Sequence, residues 1–431
     1  MDNIKNILKE IVINNPNIVG ASVAKKITNS FVTNDKCLSF RVTKKLPLNE
    51  LSPEEIIPSE IEVDGTVYKT DIVEAVEFEF MLVCSVPGCY ECYDNLNGIP
   101  CASNSSSALP VKGGSILQSY GSYGTLGFFA IHTPTQGIVG VTNAHVVAVQ
   151  AYVNSYFSLS INPPLTSVVS LSNRNPFFVP SSNGFNWFTG RYFARPININ
   201  NSPSLPFADT IDAAIIGVYQ KDNQENIVIT NESWKQIGLS DIPGGINTPP
   251  TFASTEELDA LLDFPNLEIW SSGARTGVKK TECGLTILSA NEYAAVGQFL
   301  YNNLIVITRT DIKCVAIDGG DSGSALMGKV PTYNPSDPNW KNGTRTWKIL
   351  GLVFAGTRAN DVANYGLVCR IDNIAPKLQI EPWDGTSKPF IDIDKLNYKN
   401  IPGAAIDQIK IIDGKTYYQI GTAINNSTIF Q

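Results

Sequence analysis

The sequence predicts a mainly β protein that is assembled from many short strands. Between about residues 110 and 372, apolar runs such as GTLGFFAIH, GIVGVTNAHVV and WKILGLVFAG alternate with turn residues at close intervals. The composition agrees, with 33 Gly, 26 Pro and many Asn and Ser among 431 residues. This density of short strands favours an antiparallel barrel or sandwich over a parallel α/β sheet. A hydrophobic content of 43 % is enough for the cores of two or three domains.

The amino-terminal part, residues 1–83, predicts a small α+β unit. A helix is expected over 3–13, where apolar residues recur at helical spacing: Ile4, Ile7, Leu8 and Ile11. Strands are expected over 18–24 and 37–43. A Pro- and Glu-rich segment, KLPLNELSPEEIIPSEI, then leads into a further strand-like run, YKTDIVEAVEFEF.

A linker at 84–109 contains half of the eight cysteines, namely Cys84, Cys89, Cys92 and Cys101. A CxxC pair with two further cysteines is able to bind Zn²⁺ tetrahedrally, but the second pair here lacks that compact spacing. Structural zinc, free or redox-labile thiols, and disulfides therefore all stay open. The other cysteines are scattered singly, as buried reduced thiols would be: Cys37, Cys283, Cys314 and Cys369.

The strand-rich region, residues 110–375, predicts the main domain. It contains an insertion at about 151–208 that is rich in Asn, Pro, Ser and aromatic residues, and a shorter polar one at 330–346. Both are expected to be long surface segments. A carboxyl-terminal extension, 376–431, contains strand-like pieces whose place in the fold the sequence does not assign.

Charge and hydropathy exclude two classes of partner. The net charge is −8 and no Lys/Arg cluster offers a phosphate-binding surface, so nucleic acid is not expected as a partner. No apolar run approaches the roughly 20 residues that a membrane-spanning helix needs. The amino terminus, MDNIKNILKEIVINNPN, lacks the basic start and unbroken apolar core of a secretory signal, which predicts a cytoplasmic location.

The run Asp318-Gly-Gly-Asp-Ser-Gly-Ser324 is the strongest candidate for a catalytic segment. Its glycines free the backbone for a tight turn and leave the hydroxyl of Ser322 uncrowded. Such a turn would also direct the backbone N–H groups of Gly320 and Ser322 at one point, as an oxyanion hole requires. A serine hydroxyl is a poor nucleophile until a base removes its proton, so the chain must also supply a base.

The chain has two histidines. His132 lies beside a hairpin-like turn, whereas His145 ends an apolar strand in GVTNAHVV, where it would be both anchored and accessible. Asp212 precedes the apolar strand of DAAII. A buried carboxylate is costly unless it is paired, and a hydrogen bond to the ring of His145 would both stabilise it and fix the tautomer. Asp209 is the competing candidate for this role.

These three segments, TNAHVV, DAAI and GDSGS in the order His–Asp–Ser, resemble those of the trypsin-like (chymotrypsin-fold) serine peptidases. Other serine hydrolase folds use other orders. The resemblance implies two chymotrypsin-like antiparallel β-barrels, with the amino-terminal α+β unit and the carboxyl-terminal extension added. It implies His145 as general base, Asp212 as its orienting group and Ser322 as nucleophile, acting on a polypeptide substrate. No cofactor is required for this chemistry.

A narrower resemblance is to the intracellular bacterial proteins related to the plant Narrow-leaf protease. It is carried by IVGASVAKK and DGTVYKTDIVE, by LPVKGGSILQSYGSYGTLGFF before the histidine strand, and by the Gly-x-x-Thr-Gly hairpin in WSSGARTGVKKTECGLTI. The likeness covers most of residues 17–372 but neither the 151–208 insertion nor the extension.

The resemblance also locates a substrate pocket. Its floor, six residues before the nucleophile, is Ala316, and its wall is the strand that contains Phe354, Ala355 and Gly356. Because no carboxylate stands at the floor, a preference for Arg or Lys loses its usual basis, and an apolar or small residue is expected. Arg358 would instead favour an acidic residue if it pointed inward.

Departures from the secreted members of this family leave the mode of activation open. Val146 and Asp318 occupy positions where secreted members often have disulfide cysteines. In those enzymes the Asp before the Ser pairs with a new amino terminus after cleavage, and no such cleavage motif precedes the barrels here. The partner of Asp321 is therefore open, and an activating protein partner or a homo-oligomer is one hypothesis. A catalytically silent, peptide-binding or scaffolding pseudo-peptidase is the alternative function.

Overall fold

The mainly β prediction is confirmed by the computed structural model. The structure describes residues 2–15, 17–28, 31–75, 78–80, 110–119, 122–133, 136–147, 168–170, 177–180, 186–190, 192–194, 211–217, 229–238, 248–281, 284–296, 299–310, 315–357, 364–386, 388, 406–412 and 415–420. None of the helices in these ranges is both long and apolar enough to cross a membrane.

In the amino-terminal unit, the described residues up to 75 form one α-helix, one short 3₁₀ helix (Leu48–Glu50) and four strands. The helix α1 spans Asp2–Asn14, and the strands are β1 (Ile18–Thr28), β2 (Phe31–Val42), β3 (Glu60–Val63) and β4 (Thr66–Glu74). The apolar side of α1, with Ile4, Leu8 and Val12 buried, packs against β1 and β2 around Leu38 and Phe40. The helix and strands predicted here are present, and the strands extend further than the apolar runs alone indicated.

The first strand-rich part contains the segments that lead to His145 and Asp212. Its elements are β5 (Glu79–Phe80), β6 (Ile116–Ser119), β7 (Ser122–Thr125), β8 (Phe128–His132), β9 (Gly137–Thr142), α2 (Ala144–Val147), β10 (Val168–Ser170), β11 (Phe177–Pro180), β12 (Asn186–Gly190), β13 (Tyr192–Ala194) and β14 (Ala214–Gly217). Among the described strands, β12-β11-β6-β7 form one sheet and β13-β14-β9-β8 form another.

The second strand-rich part contains the serine turn. Its elements are β15 (Thr251–Phe252), α3 (Thr255–Asp259), β16 (Ile269–Gly273), β17 (Gly277–Lys280), β18 (Leu285–Val296), β19 (Phe299–Arg309), β20 (Ala325–Pro331), β21 (Arg345–Gly356), β22 (Tyr365–Arg370) and α4 (Ile371–Leu378). Six of these strands follow the order β16-β20-β21-β22-β19-β18. Because β16 also contacts β18, the two ends of this run meet, as closure into a barrel requires.

The carboxyl-terminal extension contributes strands to other parts of the chain. Strand β23 (Ile380–Pro382) pairs with β8 and so extends the histidine-bearing sheet. Strands β24 (Ile406–Ile412) and β25 (Lys415–Ile420) pair with each other, and β25 pairs with β10 from the insertion. The place of these pieces could not be predicted, because strand pairing over such separations has no local signal in the sequence.

The amino-terminal unit shares a sheet with the second barrel. Strand β1 pairs antiparallel with β18, which continues the barrel sheet into β1-β2-β4-β3. At this junction Arg41 of β2 forms an ion pair with Glu292 of β18, and both side chains are almost fully buried. Ser289 donates a hydrogen bond to the same carboxylate at 3.1 Å. Strands β1 and β2 are therefore joined to the barrel by backbone pairing and by a buried charge pair.

Two of the singly placed cysteines lie in the described part of the chain. Cys37 and Cys369 are both free and buried, as predicted. Burial is the largest cause that raises the pKa of Cys37, to about 11, and it also raises the pKa of Cys369. Cys283, Cys314 and the cysteine cluster of the 84–109 linker lie outside the described residues.

Replacing Glu292 by Gln is expected to destabilise the protein strongly, because the charge of Arg41 would then be buried without its counter-charge. Breaking a buried pair in this way costs about 3–5 kcal/mol. The matched control is Glu268→Gln, which removes the partner of Lys329 in an exposed pair and should cost at most about 1 kcal/mol. Urea unfolding measures both values, and equal effects of the two substitutions would contradict the assignment.

Candidate active site

His145 and Asp212 are brought together by the pairing of two strands. Ala214 of β14 lies opposite Thr142 of β9, so the residues just before β14 meet the residues just after β9. The backbone N–H of His145 donates to Asp212 Oδ1 at 3.0 Å, and His145 Nδ1 contacts Asp212 Oδ2. Both side chains are almost fully buried. A proton on Nδ1 fits this contact and makes Nε2 the basic nitrogen of the ring.

The backbone at Asp212 is held by a second interaction. Asn143 Nδ2 donates to the carbonyl oxygen of Asp212 at 2.6 Å, and Asn143 is itself buried. Cys369 of β22 lies close by, since the Asp212 carboxylate is the second cause, after burial, that raises the pKa of its thiol. Asp212 therefore has Asn143 on one side and Cys369 of β22 on another.

The serine turn has the backbone conformation that its glycines allow. Gly320 and Gly323 have φ values of +98° and +93°. A Cβ on Gly323 would lie 2.1 Å from the carbonyl oxygen of Thr125 and 2.3 Å from Thr142 Oγ1, so only glycine fits there. The N–H of Gly323 donates to Val353 O at 2.9 Å. The N–H groups of Asp321 and Gly323 are thus bound within the protein, to Asp318 O and Val353 O. The predicted oxyanion donors are the N–H groups of Gly320 and Ser322, which alternate with them along the turn.

Strand β7 lies between the histidine segment and the serine turn. The N–H of Thr125 donates to Ser322 O at 2.7 Å. A Cβ on Gly124 would lie 2.5 Å from the side chain of Val146, which follows His145, and 2.9 Å from Ser322 O. The neighbours of His145 and of Ser322 therefore converge on one glycine. The Ser322 hydroxyl donates to Phe354 O at 3.3 Å, which places it at the end of β21.

Asp321, whose partner the sequence left open, is fully buried behind the serine. Lys279 Nζ is 2.8 Å from its Oδ2, and Thr276 Oγ1 donates to the same oxygen at 2.6 Å. The N–H groups of Thr276 and Arg275 donate to Oδ1 at 3.0 Å and 3.1 Å. The hairpin between β16 and β17 thus supplies both the counter-charge and most of the hydrogen bonds of this carboxylate.

The hairpin also has the room that the carboxylate needs. A Cβ on Gly273 would lie 2.0 Å from Asp321 Oδ1, so a side chain at that position would displace the carboxylate. Arg275 lies two residues after Gly273, and its Nε is 3.7 Å from Asp318 Oδ2. The Gly-x-x-Thr-Gly motif is therefore a cradle for Asp321.

The predicted pocket residues occupy two adjoining segments. Ala316, Phe354 and Ala355 are fully buried, and Gly356 ends β21. The ring of Phe354 lies 4.7 Å from the ring of Tyr301 and belongs to the main hydrophobic core. Phe354 thus packs in the core, while its carbonyl oxygen accepts a hydrogen bond from the Ser322 hydroxyl.

Asn364 links the two pocket segments. Its Oδ1 accepts from the N–H groups of Ala316 at 2.6 Å and Ile317 at 3.1 Å. Its Nδ2 donates to the carbonyl oxygens of Ile317 and Thr357, both at 3.1 Å. One buried amide therefore joins the residues before the serine turn to the end of β21.

The remaining candidates lie away from this site or outside the described residues. His132 is paired with Gly137, at the far end of β9 from His145, and burial lowers its pKa. Asp209, Arg358 and the cysteine cluster fall outside the described residues. Within the described ranges, no group of three or more His, Cys, Asp or Glu is placed to hold a metal ion.

Sequence reasoning missed Lys279, Thr276 and Asn364. For Lys279 the sequence offers no signal, because the apolar residue of GVKK is Val278, and alternation from it would place Lys279 on the outer face. In the structure Gly277 and Lys279 are the buried positions of β17, and a lysine at such a position needs a carboxylate partner. Asn364 likewise gave no signal, because it lies just outside a strand in a polar run.

No protein-family model and no curated protein sequence matches the chain. Distant likenesses are found among solved structures. A glutamic acid-specific serine protease is 15 % identical, over 63 % of this chain and 100 % of that chain, with a TM-score of 0.34. Nocardiopsis protease is 16 % identical over 63 % of this chain and 98 % of that chain, with a TM-score of 0.33. Cellulomonas bogoriensis chymotrypsin is 16 % identical over 64 % of this chain and 98 % of that chain, with a TM-score of 0.31. Likenesses with TM-scores this low do not determine the activity of the chain.

Replacing Lys279 by Met is expected to lower the free energy of unfolding by about 3–5 kcal/mol, because the buried carboxylate of Asp321 would lose its counter-charge. The matched control is Lys280→Met at the next position, whose side chain is partly exposed. Urea unfolding of both variants gives the comparison. If Lys279→Met were no less stable than Lys280→Met, the Lys279–Asp321 pair would not hold the turn.

Proposed function

We propose that the chain is a serine endopeptidase in which His145, Asp212 and Ser322 form the catalytic triad. The observation that carries this proposal is the buried contact of the His145 ring with Asp212, on segments that meet the serine turn across β7. A carboxylate that binds Nδ1 orients the imidazole and stabilises its protonated form, which is what a general base for serine requires. We propose further that the protein is related to the intracellular bacterial proteins of the Narrow-leaf protease group and that it acts in the cytoplasm.

In the proposed mechanism, His145 Nε2 takes the proton of the Ser322 hydroxyl while Oγ attacks a peptide carbonyl carbon. The N–H groups of Gly320 and Ser322 stabilise the oxyanion that forms. His145 then gives its proton to the leaving amine, and an acyl-enzyme remains on Ser322. Water, deprotonated by His145, releases the acid and restores the serine. The hydrogen bond of the Ser322 hydroxyl to Phe354 O is long for an O–H donor, so it restrains the hydroxyl only loosely.

The proposed activation differs from cleavage of a precursor. Lys279 belongs to the chain itself, so the counter-charge of Asp321 is present once β17 has folded against the turn. An activating partner or a homo-oligomer would then control access of the substrate rather than supply this charge. A non-tryptic preference follows from the absence of a carboxylate at Ala316.

Replacing Ser322 by Ala is expected to abolish both peptide cleavage and covalent labelling by a fluorophosphonate probe, because the nucleophilic oxygen is removed. Asp212→Asn is expected to lower kcat by about 10⁴-fold through loss of the oriented tautomer, with little change in folding. Casein or peptide-library digestion and probe labelling measure these effects.

The control for the serine is Ser39→Ala, which removes a buried hydroxyl from β2, far from the turn. It should retain both activity and labelling. Equal cleavage by wild type and Ser322→Ala would exclude the proposed nucleophile. A wild-type protein that binds peptides but neither cleaves them nor reacts with the probe would instead be the pseudo-peptidase.

A further inference from the structure

The position of Ser322 determines where the side chain of the attacked residue must lie. Ser322 Oγ is 3.3 Å from Phe354 O, so an acyl group on Oγ sits beside the end of β21. Ile317, in the segment that enters the serine turn, forms the other boundary of this space, since a Cβ on Gly356 at the end of β21 would lie 2.8 Å from its Cγ2. The side chain of the P1 residue, whose carbonyl is attacked, would enter between these two segments.

Two glycines leave a gap on one face of the β21–β22 strand pair. Gly356 and Gly366 lie directly opposite each other in the strand register. Neither has a side chain, so the backbone surface next to the nucleophile is open on both strands. An unfilled gap of this kind would form a deep P1 pocket.

Ile317 fills the gap. A Cβ on Gly356 would lie 2.8 Å from Ile317 Cγ2, and a Cβ on Gly366 would lie 3.4 Å from the same atom. The methyl group therefore packs on both glycines, and Ile307 of β19 occupies the rest of the gap, with its Cγ1 2.8 Å from a Cβ on Gly366. Ile317 has 0 % exposure, so the space around it is already occupied by protein atoms.

The position of Ile317 is also fixed by its backbone. Asn364 binds both its N–H and its carbonyl oxygen, each at 3.1 Å. Since Asn364 is itself fully buried, moving Ile317 aside would break these hydrogen bonds and leave polar groups unpaired. The side chain is therefore held in the gap rather than resting there as a movable lid.

We propose that Ile317 is a specificity-determining residue that restricts the peptidase to a small P1 side chain, such as that of Gly, Ala or Ser. This inference rests on the proposed function and names the substrate class of the same site. Ile317 limits the depth of the pocket, and the adjacent Ala316 contributes neither charge nor bulk. A long side chain, whether aromatic, aliphatic, basic or acidic, would need the space that Ile317 and Ile307 already occupy.

The test compares kcat/KM for peptides that differ only at P1, with Ala, Leu, Phe, Lys or Glu. Wild type should prefer Ala. Ile317→Ala should raise kcat/KM for Leu and Phe relative to Ala by roughly 10–200-fold, since each methylene accommodated in a pocket is worth a factor of this order. Ile317→Val, which is the milder change and preserves packing better, should shift the ratio in the same direction by less.

The matched control is Ile349→Ala, which removes the same atoms from a buried position of β21 remote from Gly356. It should leave the P1 ratio at the wild-type value. Fluorophosphonate labelling of each variant measures the fraction of protein with a reactive serine, and it does not depend on the P1 side chain of a peptide. Labelled wild type that cleaves after Phe or Lys as fast as after Ala, or labelled Ile317→Ala with an unchanged ratio, would overturn the specificity proposal alone. Absence of both labelling and cleavage in wild type would overturn the proposed function as well.

Discussion

The burial of Asp321 is the constraint on which the geometry of the site depends. An ionised carboxylate with no solvent exposure requires a counter-charge and hydrogen bonds to both oxygens. Lys279, Thr276 and the backbone of the β16–β17 hairpin meet this requirement, and Gly273 leaves the room for it. Because Asp321 adjoins Ser322, any displacement of the carboxylate moves the serine and its N–H group. The hairpin and the turn therefore act as one unit.

The same constraint bears on how regulation could act. With the counter-charge supplied by Lys279, the turn and the hairpin stabilise each other as the barrel folds. Control by a partner would have to act on another part of the molecule, and the junction of the amino-terminal unit is physically continuous with the pocket. The guanidinium of Arg41 lies 5.7 Å from the ring of Tyr365, and the backbone of Tyr365 is hydrogen-bonded to Thr357.

The sequence predicted those features whose information is local. The spacing of apolar residues in α1, the strand before His145 and the glycines around Ser322 each form a pattern within a dozen residues. The mainly β class follows from the same kind of evidence. The pairing of β1 with β18 and of β23 with β8 could not be predicted in this way, because register between distant strands depends on the whole core.

The groups that shape the site depend on contacts between distant segments. Lys279 stands 42 residues before Asp321, and Asn364 stands 47 residues after Ile317. Each is an ordinary polar residue until the barrel closes. For the same reason the sequence could not decide between Ala316 and Ile317 as the residue that faces the glycines, since neighbours in a chain point in different directions and the turn geometry selects one.

The segment before the serine turn is tied to the end of β21 without a covalent bond. Here four hydrogen bonds from one buried side chain make the connection, to residues 316, 317 and 357. Each bond contributes about 1 kcal/mol net, but leaving a buried partner unsatisfied costs more, so the set is held cooperatively. Such a link forms without an oxidant and persists in reducing conditions, and it holds Ile317 and the end of β21 at a fixed separation on either side of Ser322.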